Sequence, residues 1–339
     1  MTLPNTNYAT ATLVNPTAAL TDFSLMVDLS RMPDAWKASV NATDGTRGRV
    51  AKDDGTEMAV DWIDFVDGDN PGWLRAKWSG SLATSGLQTV RVYPPNTANA
   101  AVALGGTFGQ YAAYEANTLG YWPLTSSIND RTGNGNTTTV GAGSFTAGDT
   151  AGVAGNATNF DGSSLLSVAG IPELSTTTQE VSMIAIARAD FDTTRSWAGI
   201  MNRRSAYALQ QRGNGNEIIM YDSESNRIQG GLWTGGTYKS WAGTIAPTMG
   251  RLYENGVQVD SSSSVDTVGP NTRDFRIGAS WQGGAGWLGP IQHVSLHQVE
   301  RSAAWIKTEH DQLHDQATFW GTWADNPVAS GRRRAMIIT

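Results

Sequence analysis

The amino-acid sequence predicts an all-β chain of two domains, with a short helix near the C-terminus. Three observations carry that reading. Short runs with apolar residues at every second position recur along the chain, while helical periodicity is scarce. Glycine and proline, 38 and 12 of 339 residues, punctuate these runs and mark many turns. The length exceeds the roughly 100–200 residues of a typical single domain.

Taken in order, Phe23, Leu25, Val27 and Leu29 alternate with Ser24, Met26 and Asp28, as a half-buried strand requires. Met32, Trp36 and Val40 fall at helical spacing and predict a short helix within 31–40. Leu74, Ala76 and Trp78 alternate with Arg75 and Lys77, and Val90 and Val92 flank Arg91. Pro94-Pro95 ends that last strand, and residues 96–109 are rich in Ala, Asn, Thr and Gly. The domain boundary therefore falls near 115, giving a first domain over 1–115, a second over 116–318 and a tail over 319–339. Within the second, Arg251 to Val259 reads as a hairpin. Its Asn255-Gly256 pair suits a two-residue turn in which both positions take positive φ. Ser302 to Gln316 predicts the helix, capped by Ser302, with Trp305, Ile306 and Leu313 toward the sheet.

Composition excludes several classes. Charged residues make up 16%, against about 25% in average soluble chains, so uncharged polar groups build much of the surface. With no cysteine, neither disulfides nor thiolate metal sites can form. A net charge of −7 argues against non-specific nucleic-acid binding, which relies on basic patches. No window holds the ~18 uninterrupted apolar residues of a membrane-spanning helix, so membrane insertion is not expected. Met1 to Asn7 has neither a basic nor an apolar signal region, so no secretory leader is expected. Thirteen tryptophans argue for ordered packing or ligand platforms.

From Leu119 onward a series of motifs appears in a fixed order. They are Tyr121-Trp-Pro-Leu124, Asn129-Asp130-Arg-Thr-Gly133-Asn134-Gly135-Asn136, Phe160-Asp161-Gly162, Val181 to Ala187, Gly250 to Gly256, Phe275 to Gly278, and Leu288 to Val294. Together, over roughly 180 residues, they resemble a laminin-G-like, concanavalin A-type lectin/glucanase domain. The resemblance implies a jelly roll for the second domain. Asp22 to Leu29, Asp44-Gly45, Asp54-Gly55, Val92 to Asn96 and Ala304 to Glu309 are similar to an uncharacterised bacterial and phage domain that precedes such modules. That likeness implies a first β-sandwich ahead of the jelly roll, two β-sandwich domains in all, and no activity.

Glucanases of this fold carry alternating acids on one strand, which places two carboxyls on one face about 5–5.5 Å apart across a glycosidic bond. No such run occurs: Asp190-Phe-Asp192 continues differently, and Glu217 and Glu224 stand alone. The chain is therefore expected not to be an enzyme. Sugar binding needs aromatic faces among small polar residues. Trp233, Tyr238 and Trp241 in the stretch 231–241, with Trp281 and Trp287 in a glycine-rich stretch, are the candidate ligand-binding residues. Asp130, in its Asn/Gly loop, is the candidate ligand for calcium, the only cofactor the pattern admits. The acidic stretch Asp53, Asp54, Glu57, Asp61, Asp64, Asp67 and Asp69 reads as a solvated strand face with turns. His310 and His314 have the i,i+4 spacing of a zinc pair but read as part of a solvent-facing helix. His293 and His297 fall ~13 Å apart on a strand, too far to share an ion. The tail 331–339, three arginines before an apolar end, reads as an edge strand of this or a neighbouring chain.

The expectation is a non-enzymatic phage virion protein on the exterior surface, a tail fibre or peripheral adhesin. It would bind host-surface glycan, contact other virion proteins and form a homo-oligomer. A capsid or tail decoration protein without ligand, and a bacterial surface carbohydrate-binding protein, are the alternatives.

Overall fold

The computed structural model describes all residues except 1–2, 4–6, 172–179, 191–196, 204–205, 212–217, 222–226, 232–234, 265–272, 281–285 and 327–339. Trp233, Trp281 and the tail 331–339 thus lie outside the described residues.

The expected alternating runs all become strands. The first unit contains β1 (Tyr8–Thr12), β2 (Leu20–Asp28), β3 (Arg49–Lys52), β4 (Glu57–Ile63), β5 (Trp73–Leu82) and β6 (Thr89–Tyr93). The second contains β7 (Thr118–Trp122), β8 (Thr137–Ala142), β9 (Thr150–Ala151), β10 (Asn156–Asp161), β11 (Leu165–Ala169), β12 (Val181–Ala187), β13 (Gly199–Arg203) and β14 (Tyr207–Gln211). It continues with β15 (Ile218–Tyr221), β16 (Arg227–Gly230), β17 (Lys239–Ala246), β18 (Met249–Glu254), β19 (Val257–Ser262), β20 (Phe275–Ile277) and β21 (Leu288–His297). Three α-helices, α1 (Asp34–Ser39), α2 (Ala303–His314) and α3 (Gln316–Phe319), three single-turn 3-10 helices (Leu29–Arg31, Gly45–Arg47 and Gln110–Ala113) and a last strand β22 (Ala324–Asn326) complete the described elements.

The first unit is an antiparallel sheet of order β2-β5-β4-β3-β6-β1-β22. β4 joins its halves: Glu57 and Met58 pair with β3, whereas Ala59 to Ile63 pair with β5. Both halves bury their alternate apolar residues in one core, Leu25, Val27, Leu74 and Ala76 with Ala9, Val50, Val90 and Val92. Helix α1 is short and held by tertiary contacts. Trp36 is fully buried, and its indole N–H donates to the Val92 carbonyl at 2.8 Å.

The C-terminus returns to this sheet. β22 pairs with β1, Trp320 bridges to Leu13, and the Trp320 indole donates to the Met26 carbonyl at 2.8 Å. Residues 319–326, expected in a separate tail, therefore complete the first unit. The physical reason is the apolar load of Phe319, Trp320 and Trp323, all buried in its core.

The second unit is a sandwich of two antiparallel sheets, β19-β18-β17-β12-β21-β10-β9 with β7 also on β21, and β16-β15-β14-β13-β20-β11-β8. Trp122, Phe160, Met183, Trp241, Leu252 and Phe275 fill the space between them, and Trp122 stacks on Phe275 at 5.4 Å. The β7–β21 sheet is buried on its other face as well. Ile184, Ala242 and Tyr253 stand in register across β12, β17 and β18 and join Trp305 and Ile306 of α2 in the first unit's core. That is why β12 and β17 are buried along their whole length.

Helix α2 begins at Ser302, whose hydroxyl accepts from the Trp305 N–H at 3.2 Å, as the sequence indicated. It is not a solvent-facing helix. Trp305, Ile306, Glu309, Gln312 and Leu313 are buried where the two units meet. Glu309 accepts from both terminal nitrogens of Arg75 in β5 at 3.1 Å, and Gln312 accepts from the Met26 N–H at 2.8 Å while donating to the Ser24 carbonyl at 3.1 Å. His310 hydrogen-bonds to Ser240 at 2.7 Å.

The acidic stretch is not wholly solvated either. Asp61 is 1% exposed, paired with Arg131 and accepting from the Tyr114 hydroxyl at 2.5 Å. Glu57 lies 3.3 Å from Arg49, and both are almost completely covered.

Candidate functional site

Because the first unit and α2 cover one face of the sandwich, ligand access is left to the other sheet and to the ends. One end gathers the finish of β12, the starts of β13, β17 and β21, and the turn between β10 and β11. Two of the sequence-predicted aromatics in this region are structural. Trp241, third residue of β17, pairs with Ala185 and lies fully buried between the sheets. Trp287, just ahead of β21, is also fully buried; its backbone N–H donates to the Gly278 carbonyl at 2.8 Å and its indole to the Arg188 carbonyl at 3.3 Å. Neither presents a ring to a ligand. The surrounding glycines suggest open loops, but the register of β17 turns Trp241 inward and the bond to Gly278 holds Trp287 in the core.

Among the described residues, Tyr238 is the predicted aromatic that remains partly exposed. Its hydroxyl donates to the Ala151 carbonyl at 2.6 Å, which fixes the ring. The Arg188 guanidinium stands 5.2 Å from the ring centre. Arg188 is oriented in turn by Asp190, through Nε to Oδ1 at 2.8 Å and Nη2 to Oδ2 at 2.9 Å. Burial pushes the Tyr238 hydroxyl up to about 12, against the opposing pull of Arg188. It therefore stays a neutral donor across physiological pH. The bond to Asp190 raises the Arg188 pKa further above its ordinary value.

Sequence reasoning missed Arg188 and weighed Asp190 only as a catalytic acid. The available signal was an Arg-x-Asp pair directly after the mostly apolar strand Val181–Ala187, two residues apart and so on one side of an extended chain. Trp197 was also missed. It is half-buried with φ of 68° and stands 5.1 Å from the Arg227 guanidinium.

The outward face of the β8–β16 sheet is polar but covered along β13 and β14. Ser167, Arg276 and Asn202 stand side by side in register across β11, β20 and β13. The Ser167 hydroxyl donates to Asp274 at 3.1 Å. Asn202 and Gln210 are buried, and their side-chain carbonyl oxygens have no partner among the described residues.

Asp130 organises a loop rather than offering itself to calcium. Its carboxylate accepts from the Tyr121 N–H at 2.9 Å, the Thr132 N–H at 3.1 Å, the Thr132 hydroxyl at 2.8 Å and Asn136 Nδ2 at 2.8 Å. Asn134 and Asn136 donate to the Thr118 and Leu119 carbonyls at 2.8 and 2.7 Å, pinning the loop to β7. The acid, the threonine and the two asparagines of this motif thus have a folding role. Among the described residues no group of three His, Asp or Glu side chains is arranged to hold a metal ion.

Residues 160–307 match the family model of the concanavalin A-like lectin/glucanases superfamily. With the two-sheet strand order above, this identifies the second unit as a concanavalin A-like domain. No curated protein matches the chain significantly. Among solved structures, domain 4 of AbnA, a GH43 extracellular arabinanase from Geobacillus stearothermophilus in complex with arabinotriose, is similar. It has a TM-score of 0.48 at 16% identity, over 59% of this chain and 100% of that one. The receptor-binding domain of botulinum neurotoxin C/D mosaic serotype gives 0.44 at 15%, over 57% of this chain and 51% of that one. Trypanosoma rangeli sialidase in complex with the inhibitor DANA gives 0.43 at 13%, over 57% and 32%. The fold rests on the family match and the strand order.

Proposed function

We propose that this chain is a non-catalytic glycan-binding protein whose lectin-like sandwich meets sugar at the end bearing Tyr238, Arg188 and Asp190. The observation that carries the reading is this cluster. A partly exposed aromatic ring is locked by its own hydroxyl and flanked by a charge pair that can both donate to and accept from sugar hydroxyls. A ring and charge pair held before binding lose little entropy on engaging ligand. Fold alone does not decide function. Binding is favoured over hydrolysis because no strand carries the alternating acids that would flank a glycosidic bond. The setting proposed is the exterior of a phage virion, as a tail fibre or peripheral adhesin joined to other virion proteins as a homo-oligomer. The cysteine-free, neutral-polar composition supports that setting.

The test is binding of labelled protein to intact bacteria and to their purified surface polysaccharide, with Tyr238→Ala and Arg188→Ala alongside. Saturable binding that the polysaccharide competes and both substitutions weaken is expected. Reducing sugar released by the pure protein, or binding indifferent to both substitutions, contradicts the proposal.

A further inference from the structure

A cavity of about 380 Å³ opens in the first unit, away from the sandwich end described above. Such a volume suits one small ring, at the low end of ligand pockets. Its walls are aromatic: Trp62 from β4, with Phe65 edge-on to it at 5.4 Å and 76°, and Phe108. The indole is pressed from one side by a loop that only glycine allows. A Cβ on Gly45 would lie 2.4 Å from Trp62 Cβ, and one on Gly48 would lie 2.2 Å from the indole ring.

The rim is tied down. The Val60 N–H donates to the Phe108 carbonyl at 3.1 Å, Val102 to Thr46 at 3.0 Å, and Tyr111 to Leu104 at 3.0 Å. The cavity is therefore preformed.

Two polar groups with spare capacity line it. Arg131 reaches in from the Asp130 loop. Its Nε donates to Asp61 at 3.1 Å and its Nη2 to the same carboxylate and to the Trp62 carbonyl, leaving Nη1 without a partner among the described residues. Gln110 donates its Nε2 to the Arg131 carbonyl at 2.9 Å and keeps its Oε1. One donor and one acceptor thus stand beside aromatic faces.

The charges decide the ligand class. Asp61 already neutralises Arg131, and the remaining lining acid, Asp44, accepts from the Thr46 N–H and hydroxyl at 2.9 and 2.7 Å. No cation is left over for an anion. We propose that this cavity binds one neutral, hydroxylated ring, a single uncharged sugar unit. An apolar sugar face would lie against the aromatic wall, and adjacent hydroxyls would meet Arg131 Nη1 and Gln110 Oε1. The site is independent of the one proposed on the sandwich end.

The test is saturation-transfer NMR on the full chain carrying Tyr238→Ala, which silences the sandwich end, with glucose, galactose, N-acetylglucosamine and glucuronate to ~20 mM, enough to detect millimolar binding. Leu104→Trp fills the cavity from its exposed lip, and Phe108→Ala opens it. Saturable transfer to at least one neutral sugar is expected, abolished by Leu104→Trp, weakened by Phe108→Ala and at least ~10-fold weaker for glucuronate. Leu104→Trp in the chain that keeps Tyr238 is expected to leave polysaccharide binding at the sandwich end unchanged, so the two sites fail separately. No saturable transfer from any neutral sugar, transfer that survives Leu104→Trp, or equal binding of glucuronate overturns the proposal.

Discussion

The contact between the two units hangs on a buried ion pair, and removing one partner should be costly. Arg75 and Glu309 have side-chain exposures of 1% and 4%. Glu309 is the carboxylate that both terminal Arg75 nitrogens meet, and its other oxygen accepts from Gln312. Glu309→Ala leaves a guanidinium in a site lined by Tyr114 and Tyr121 and removes one acceptor of the Gln312 amide. Breaking a buried pair in this way costs about 3–5 kcal/mol, a large share of the ~5–15 kcal/mol that holds a typical domain. Replacing both charges together, Arg75→Met with Glu309→Leu, should recover most of that loss, because the desolvation cost goes with the pair. Urea unfolding followed by tryptophan fluorescence measures both variants. A loss below about 1 kcal/mol for Glu309→Ala, or a double variant no more stable than the single, refutes the reasoning.

Three further outcomes follow from buried groups. Trp241→Ala should lower stability by about 3–5 kcal/mol through the cavity it leaves, and at matched folded concentration should bind glycan like the wild type; calorimetry and a binding titration separate the two effects. Burial lowers the His293 pKa to about 4 and those of His310 and His314 to about 4 and 3, with His297 also lowered. The unfolded chain therefore takes up protons first, so stability is full above about pH 6.5 and falls as pH drops toward 4; a urea midpoint flat across that window contradicts this. Since hydrogen-bond donors fill the Asp130 carboxylate, excess calcium and chelator should give the same melting temperature, and a calcium-dependent rise would reveal a site.

Local chemistry explains what could be read from sequence. The Asn255-Gly256 turn shows φ of 50° and 77°, as its dipeptide requires, and the Ser302 cap depends on residues three apart. The ordered lectin-like motifs survive because each fixes a strand or a turn. What could not be read depends on distant partners. Asp61 looks solvated until Arg131, seventy residues on, covers it. The return of β22 to β1 joins the two ends of the described chain and leaves no local pattern. Trp241 and Trp287 sit among glycines that resemble ligand loops, and only the pairing of β17 with β12 and the approach of Gly278 place them in the core. The Arg188–Asp190 pair was legible as spacing, but its meaning came only when Tyr238 arrived beside it from β17's approach.

The central claim is that the sandwich end binds glycan without cutting it. The most direct measurement is a titration of purified surface polysaccharide against wild-type, Tyr238→Ala and Arg188→Ala protein, with the polysaccharide's chain length followed in parallel. The account predicts saturable binding by the wild type, at least ~10-fold weaker binding by either variant, and unchanged chain length. Equal affinity for all three proteins, or shortening of the polysaccharide, would contradict it.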